Sequence, residues 1–246
     1  MDLMFKASQI LERGRGLTFD DILLVPRYSE VYSRSIPSLK TQITKNHSID
    51  TPIISANMDT VTGKEMACAM AKLGGMGILH RFMPAQQQVE DVKYIQKFLK
   101  DNSLSLPVAA SIGVKEDGMK RAAMLAQTGI DILTIDIAHG DSVMMMDVLK
   151  YVKQNFPEID VIAGNVATPD GVKRMIDLGA DAVKVGIGPG SMCTTRIITG
   201  HGVPQLPAVA LAVSEAIKHG VPVIADGGLK NSGDMTKALC AGASSC

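Results

Sequence analysis

Residues 186 to 196 read Gly-Ile-Gly-Pro-Gly-Ser-Met-Cys-Thr-Thr-Arg and carry the densest chemistry in the chain. Three glycines and a proline within five residues leave backbone N–H groups uncovered, which suits a phosphate or another oxyanion. A thiol in such a turn has little apolar cover, and the amides and the nearby arginine favour its thiolate. Cys193 is therefore a candidate nucleophile. A glycine-rich loop alone is a weak signal, since most are only tight turns. Joined to a nucleophile and two hydroxyls it becomes a strong one.

Something must hold that loop in place. Short apolar runs recur along the chain, each followed by polar or glycine residues and then a helical stretch: PIISAN, GMGILH, PVAASIG, ILTIDIA, VIAGNV, AVKVGI and PVIADGG. Ala/Leu-rich segments stop at Gly74, Gly129, Gly179, Gly220 and Gly242, each just ahead of a strand, as expected of left-handed helix ends. Strands that read as continuously apolar are buried on both faces, as in a parallel sheet wrapped by helices. Seven strands are counted, and the chain stops at AGASSC, where an eighth would begin. The fold class is α/β, a (β/α)8 TIM barrel truncated before strand eight. A doubly wound open sheet is the alternative, because periodicity does not show closure. Residues 1–50 form an N-terminal extension with short strands around ILLVP and LKTQIT, and residues 51–246 form the barrel.

Composition narrows the function classes. With 246 residues and 46% hydrophobic content, one large α/β domain with a buried core is the default. Lys plus Arg and Asp plus Glu balance at 25 each without long runs of either sign, which argues against nucleic acid as a partner. The opening MDLMFKASQILERGRG lacks the apolar core of a leader, and no segment reaches membrane-spanning length, so a soluble cytoplasmic protein without a membrane partner is expected. Cysteines at 68, 193, 240 and 246 lack disulfide or zinc spacing and read as free thiols. Cys68, in MACAMAKLG, reads as a small core residue, and Met144 to Met146 as core and gap filling. VEDVKYIQKFLKDN reads as an amphipathic helix with a solvated charged face.

The run 186–196 resembles the active-site loop of the inosine monophosphate dehydrogenase and guanosine monophosphate reductase family. FDDILLVP, ANMDTV, the Asp-x-Ala-His-Gly of residues 136 to 140, GNVAT and ADGG follow in the family's order. The resemblance implies that Cys193 attacks the purine C2 and holds a thioimidate, and that the Thr195 hydroxyl helps activate water or ammonia. It implies that Gly190 and Ser191 meet the nucleotide phosphate and that Asp226 accepts from the ribose hydroxyls. Gly227 and Gly228 let the phosphate approach, while Ser55 and Met58 line the base pocket. Asn57, beside them, is read equally as a strand-end cap. Asp136 would face the nicotinamide ribose, with Asn165 and Gly188 flanking the nicotinamide ring. His139 is read as a polar loop anchor ahead of a general base. A monovalent cation, potassium, would be held by the carbonyls of Gly188, Gly190 and Cys193, and the family suggests a homotetramer.

The two family branches share these residues and run the redox step in opposite directions. Three features lean toward the reductase, which converts guanosine monophosphate to inosine monophosphate and ammonia with NADPH. About thirty residues join GILHRF to VAASIG, without the regulatory insert usual in dehydrogenases. Asn57 in ANMDTV and the run GVPQLPAV resemble reductases, and Arg81 of the pair His80-Arg81 stands where reductases use a basic residue near ammonia. VPVIADGG with NSGD resembles bacterial dehydrogenases, which act on inosine monophosphate with NAD, and some dehydrogenases also lack the insert, so an insert-free dehydrogenase is the alternative. A non-catalytic nucleotide-binding relative is the third reading. The family's eighth strand and catalytic flap would lie beyond residue 246, so for this chain alone an unclosed barrel, an exposed edge strand and negligible turnover are expected.

Overall fold

The structure, a computed structural model, describes residues 16–246. Residues 1–15, on which the expectation of no leader falls, lie outside them. A short antiparallel hairpin, β1 (Thr41–Gln42) with β2 (Ser48–Ile49), precedes the main sheet. Seven parallel strands then follow: β3 (Ile54–Ser55), β4 (Met76–Leu79), β5 (Ala109–Ile112), β6 (Ile132–Asp136), β7 (Asp160–Val166), β8 (Ala182–Val185) and β9 (Val223–Ala225). The helices between and after them are α1 (Lys64–Lys72), α2 (Ala85–Asp101), α3 (Glu116–Ala126), α4 (Val143–Asn155), α5 (Pro169–Asp177), α6 (Thr195–Thr199), α7 (Gln205–Ala216) and α8 (Ser232–Cys240).

Each strand pairs with its neighbour in sequence, from β3 round to β9. A doubly wound sheet would reverse its order at a switch point, so that alternative is set aside. The truncated barrel is borne out, and one expectation is corrected. Residues 244–246 bridge both edges of the seven-stranded sheet. Ser244 N–H donates to the Val223 carbonyl and Ala225 N–H to that of Ser245, at 2.8 and 2.9 Å. On the other side Cys246 N–H donates to Pro52 and Ile54 N–H to Cys246, at 3.0 and 2.7 Å. The start of an eighth strand therefore occupies the gap, because the twist of seven strands leaves room for one.

The barrel has two apolar layers. Ile78, Ala109, Ile132, Ile162, Ala182 and Ile224 point inward, and Ile43 and Ile49 of the hairpin plug the base. The alternate residues, such as Leu79, Ala110, Leu133 and Val183, pack against the helices. Burying each of the Val, Leu and Ile side chains among them stabilises the fold by about 1.5–3 kcal/mol. The amphipathic reading of α2 holds, with Val89, Val92, Ile95 and Leu99 buried. The glycine stops hold as well: Gly74 has φ +75° and Gly179 φ +94°, and the other three are likewise left-handed. NSGD is a helix start, in which the Asn231 side chain accepts from Asp234 N–H at 3.0 Å.

Two further expectations are corrected. Ile22–Pro26 forms no strand; it runs as irregular chain with Leu23 and Val25 exposed, since nothing pairs with it among the described residues. Met145 is core and Met146 packs on it, but Met144 is exposed on the outer face of α4. Cys68 is buried as expected, and burial pushes its thiol above the ordinary range. Among the described residues, no helix is long and apolar enough to cross a membrane.

Candidate functional site

The carboxyl ends of the barrel strands open into one mouth. Inward positions recur at every second residue, so the chain reaches Asp136 from Ile132, Lys184 from Ala182 and Asp226 from Ile224. Three charges thus crown the apolar interior. The Lys184 ammonium lies 2.9 Å from Asp226 Oδ2 and 2.9 Å from Asp136 Oδ1, and donates to Asn57 Oδ1 at 3.1 Å. Asn57 Nδ2 in turn donates to Asp136 Oδ2 at 2.6 Å. Asn57 is therefore a member of the charged cluster more than a cap. Burial alone would lower the lysine's pKa, but the carboxylates of Asp226 and Asp136 outweigh it and hold the ammonium above its usual range. At Asp226 burial works to raise the carboxyl, and the Lys184 charge with the Asn165 amide more than offsets it.

Asn165 sits where the β7–β8 register shifts, between Gly164 and Val166. Its Nδ2 donates to Asp226 Oδ2 and to the Gly186 carbonyl, both at 2.8 Å. Both partners are acceptors, so the amide orientation follows, and Oδ1 is left buried without a protein partner. Gln205, the first residue of α7, ties the loops together by donating to Val185 and Asp226 carbonyls at 2.9 and 3.0 Å. Gly186 has no room for a side chain: a Cβ there would lie 2.1 Å from the Asp226 carbonyl oxygen. Similarly, a Cβ on Gly228 would meet Pro189 at 3.0 Å, so the ADGG turn rests directly on the 186–196 loop.

Two adjoining cavities occupy the mouth, of about 450 and 480 Å³. The first is lined by Arg81, Asp136, Asn165 and Gly188. The second is lined by Ser55, Ser191, Met192 and Gly228. Met58, Lys184, Gly190, Cys193, Asp226 and Gly227 face both. Thr195 lines the first cavity, and its hydroxyl is 3.2 Å from the Cys193 Sγ. That contact, then the Thr195 amide, holds the Cys193 thiol below its ordinary range, and burial only partly opposes them. The structure thus brings every sequence-chosen site residue into one mouth.

His139 is the exception among the weighed residues. It is exposed and outside both cavity linings, and the loop after β6 is anchored instead by a two-pronged pair from Arg174 to Asp141, at 2.7 and 2.6 Å. Sequence reasoning also missed Lys184, although a lysine flanked by valines in a buried strand is a visible signal. Gln88 and Arg121 were missed too. The buried Gln88 donates to the carbonyls of His80 and Ser111, and Arg121 donates to Gln88 Oε1 and the Met83 carbonyl. Together they hold both ends of the turn that carries Arg81.

The sequence model of the IMP dehydrogenase / GMP reductase domain matches residues 16–246. Relatives named inosine-5'-monophosphate dehydrogenase include one from Cryptosporidium parvum, 44% identical over 269 residues that cover 94% of this chain and 66% of the relative. One from Borreliella burgdorferi is 37% identical over 274 residues, covering 94% and 68%. One from Aquifex aeolicus is 34% identical over 351 residues, covering 93% and 71%. The chain thus spans about two thirds of the length of these relatives. With the family's domain matched across nearly the whole chain and its loop residues gathered around one cysteine, this chain belongs to the IMP dehydrogenase / GMP reductase family.

Proposed function

We propose that the protein oxidises inosine monophosphate with NAD and water to the xanthosine nucleotide, through a covalent thioimidate on Cys193. The observation that carries this reading is the position of the thiol, low in pKa and facing both cavities. A purine in one lobe and a nicotinamide in the other can meet over a single sulfur. The Cys193 thiolate bonds to purine C2, which would then release its hydride to a bound nicotinamide. Water then adds to C2, assisted by the Thr195 hydroxyl, and the C–S bond breaks to return the thiol. Asp226 accepts from the substrate ribose, and Ser191, Gly190, Gly227 and Gly228 surround its phosphate, with Ser55 and Met58 beside the base. NAD supplies the hydride acceptor. Asp136 would hold its ribose, Asn165 and Gly188 its ring, and Arg81 the outer rim. The unpartnered Asn165 Oδ1 suits a carboxamide donor.

Carbonyls of Gly188, Gly190 and Cys193 would hold potassium. Neutral carbonyl oxygens suit an alkali cation, and the Gly190 carbonyl, which accepts Cys193 N–H at 3.1 Å, keeps a second lone pair. Exposed Ile197 and Ile198 beside the site suit burial in a homotetramer.

The reductase reading, with guanosine monophosphate and NADPH, loses one of its three supports. The Cryptosporidium and Borreliella relatives align over 269 and 274 residues, against 351 for the Aquifex one, with nearly the same share of this chain covered. Dehydrogenase-named relatives thus also align with this chain without an insert of a hundred residues or more. The test follows absorbance at 340 nm with the full-length gene product in two mixtures, inosine monophosphate with NAD and guanosine monophosphate with NADPH. A rise in the first is expected. A fall in the second alone would establish the reductase, and silence in both would favour a non-catalytic nucleotide binder.

A further inference from the structure

The Lys184 ammonium donates to Asp226 and to Asn57 and forms an ion pair with Asp136 at 2.9 Å. Its side chain is 6% exposed and lies at the wall between the two cavities. Its charge is met by protein groups on every side that the cluster offers. The carboxylates differ in this respect. Asp226 Oδ2 takes both the lysine and the Asn165 amide, so Oδ1 is left for an incoming hydroxyl. Asp136 accepts from Asn57 at Oδ2 and pairs with the Lys184 charge at Oδ1, and each oxygen retains a lone pair.

We propose that Lys184 is a positioning residue shared by both ligands: it touches neither, and aims Asp226 at the mononucleotide and Asp136 at the dinucleotide from one buried charge. The proposal rests on the two-ligand reading above. Two carboxylates converging on one mouth would repel each other and turn away, and the committed ammonium removes that repulsion while fixing both rotamers. Other charged residues of the mouth serve one ligand. Loss of Lys184 should therefore weaken both.

Calorimetry on the full chain, with inosine monophosphate alone and with NAD alone, tests this. Lys184→Gln should weaken each ligand at least about tenfold, the order expected when one partner of a buried pair is removed. Asp226→Asn should weaken chiefly the mononucleotide, Asp136→Asn chiefly NAD, and Lys184→Arg should restore both more than Lys184→Gln does. Lys184→Gln leaves two buried carboxylates unneutralised and can unfold the chain. The pair Asp136→Asn/Lys184→Gln keeps the cluster's net charge and answers the same question: it should bind the mononucleotide at least about tenfold more weakly than Asp136→Asn alone. Equal binding by those two variants, or a Lys184→Gln effect confined to one ligand, overturns the proposal. If the unaltered protein binds neither ligand, the two-ligand reading falls and this inference with it; if it binds both while the lysine variants bind normally, only the inference falls.

Discussion

The sulfur of Cys193 and the hydroxyl of Thr195 are 3.2 Å apart, and that contact is the largest single cause of the thiol's lowered pKa. A lowered pKa means that the thiolate is present at lower pH than for an ordinary thiol and is lost as pH falls through the folded-state value. Thr195→Val should move the pH midpoint of Cys193 alkylation upward, toward ordinary thiols. Iodoacetamide labelling followed by peptide mass spectrometry reads this site by site. Cys246, pushed up to about 11 by burial, and the buried Cys68 should lag behind Cys193 throughout. An unmoved midpoint would mean that the loop amides dominate over the hydroxyl.

At the scale of elements, the turn between β4 and α2 shows how a loop is held from behind. Gln88 reaches His80 and Ser111 with one amide, at 3.0 and 2.9 Å, and Arg121 reaches Gln88 and Met83 at 3.1 and 3.0 Å. Gln88→Leu orphans the buried guanidinium edge and two carbonyls, and should cost about 1–3 kcal/mol in urea unfolding. It should also raise the KM for NAD several-fold while leaving that for the purine nucleotide nearly unchanged, because Arg81 rides on this turn and Asp226 does not. A parallel rise in both constants would count against a cofactor role for the turn.

Over the whole molecule, the two ends of the barrel do different work. At the base, Asp160 is 2% exposed and accepts from the Thr44 hydroxyl at 2.6 Å and from the Asn46 side chain at 2.8 Å, latching the β1–β2 hairpin beneath the inner core. At the mouth, the same strands present Asp136, Lys184 and Asp226. Asp160→Ala leaves buried donors unpaired and should lower stability by about 2–4 kcal/mol, seen as a lower urea midpoint. At a temperature where the variant is folded, kcat/KM should match the unaltered protein within about twofold, since barrel bases serve stability and barrel mouths serve chemistry. A large loss of kcat/KM would show that the plug also shapes the mouth.

Much of this was legible in the chain, because it depends on local order. Strand runs, glycine stops and the 186–196 loop are each specified by neighbours in sequence, so the barrel strands and Cys193 could be named directly. The candidate site residues Asp136, Asn165 and Asp226 followed from their places at strand ends and from family resemblance. Tertiary structure alone decided the rest, because it depends on which inward positions meet across the ring. Lys184 looked like part of an apolar strand until the pleat turned it toward two carboxylates from distant segments. His139 looked like an anchor until Arg174, on another helix, took that task from it. Residues 244–246 could be read as an unfinished end, yet curvature brings them between β3 and β9, where backbone donors and acceptors on both sides require a partner.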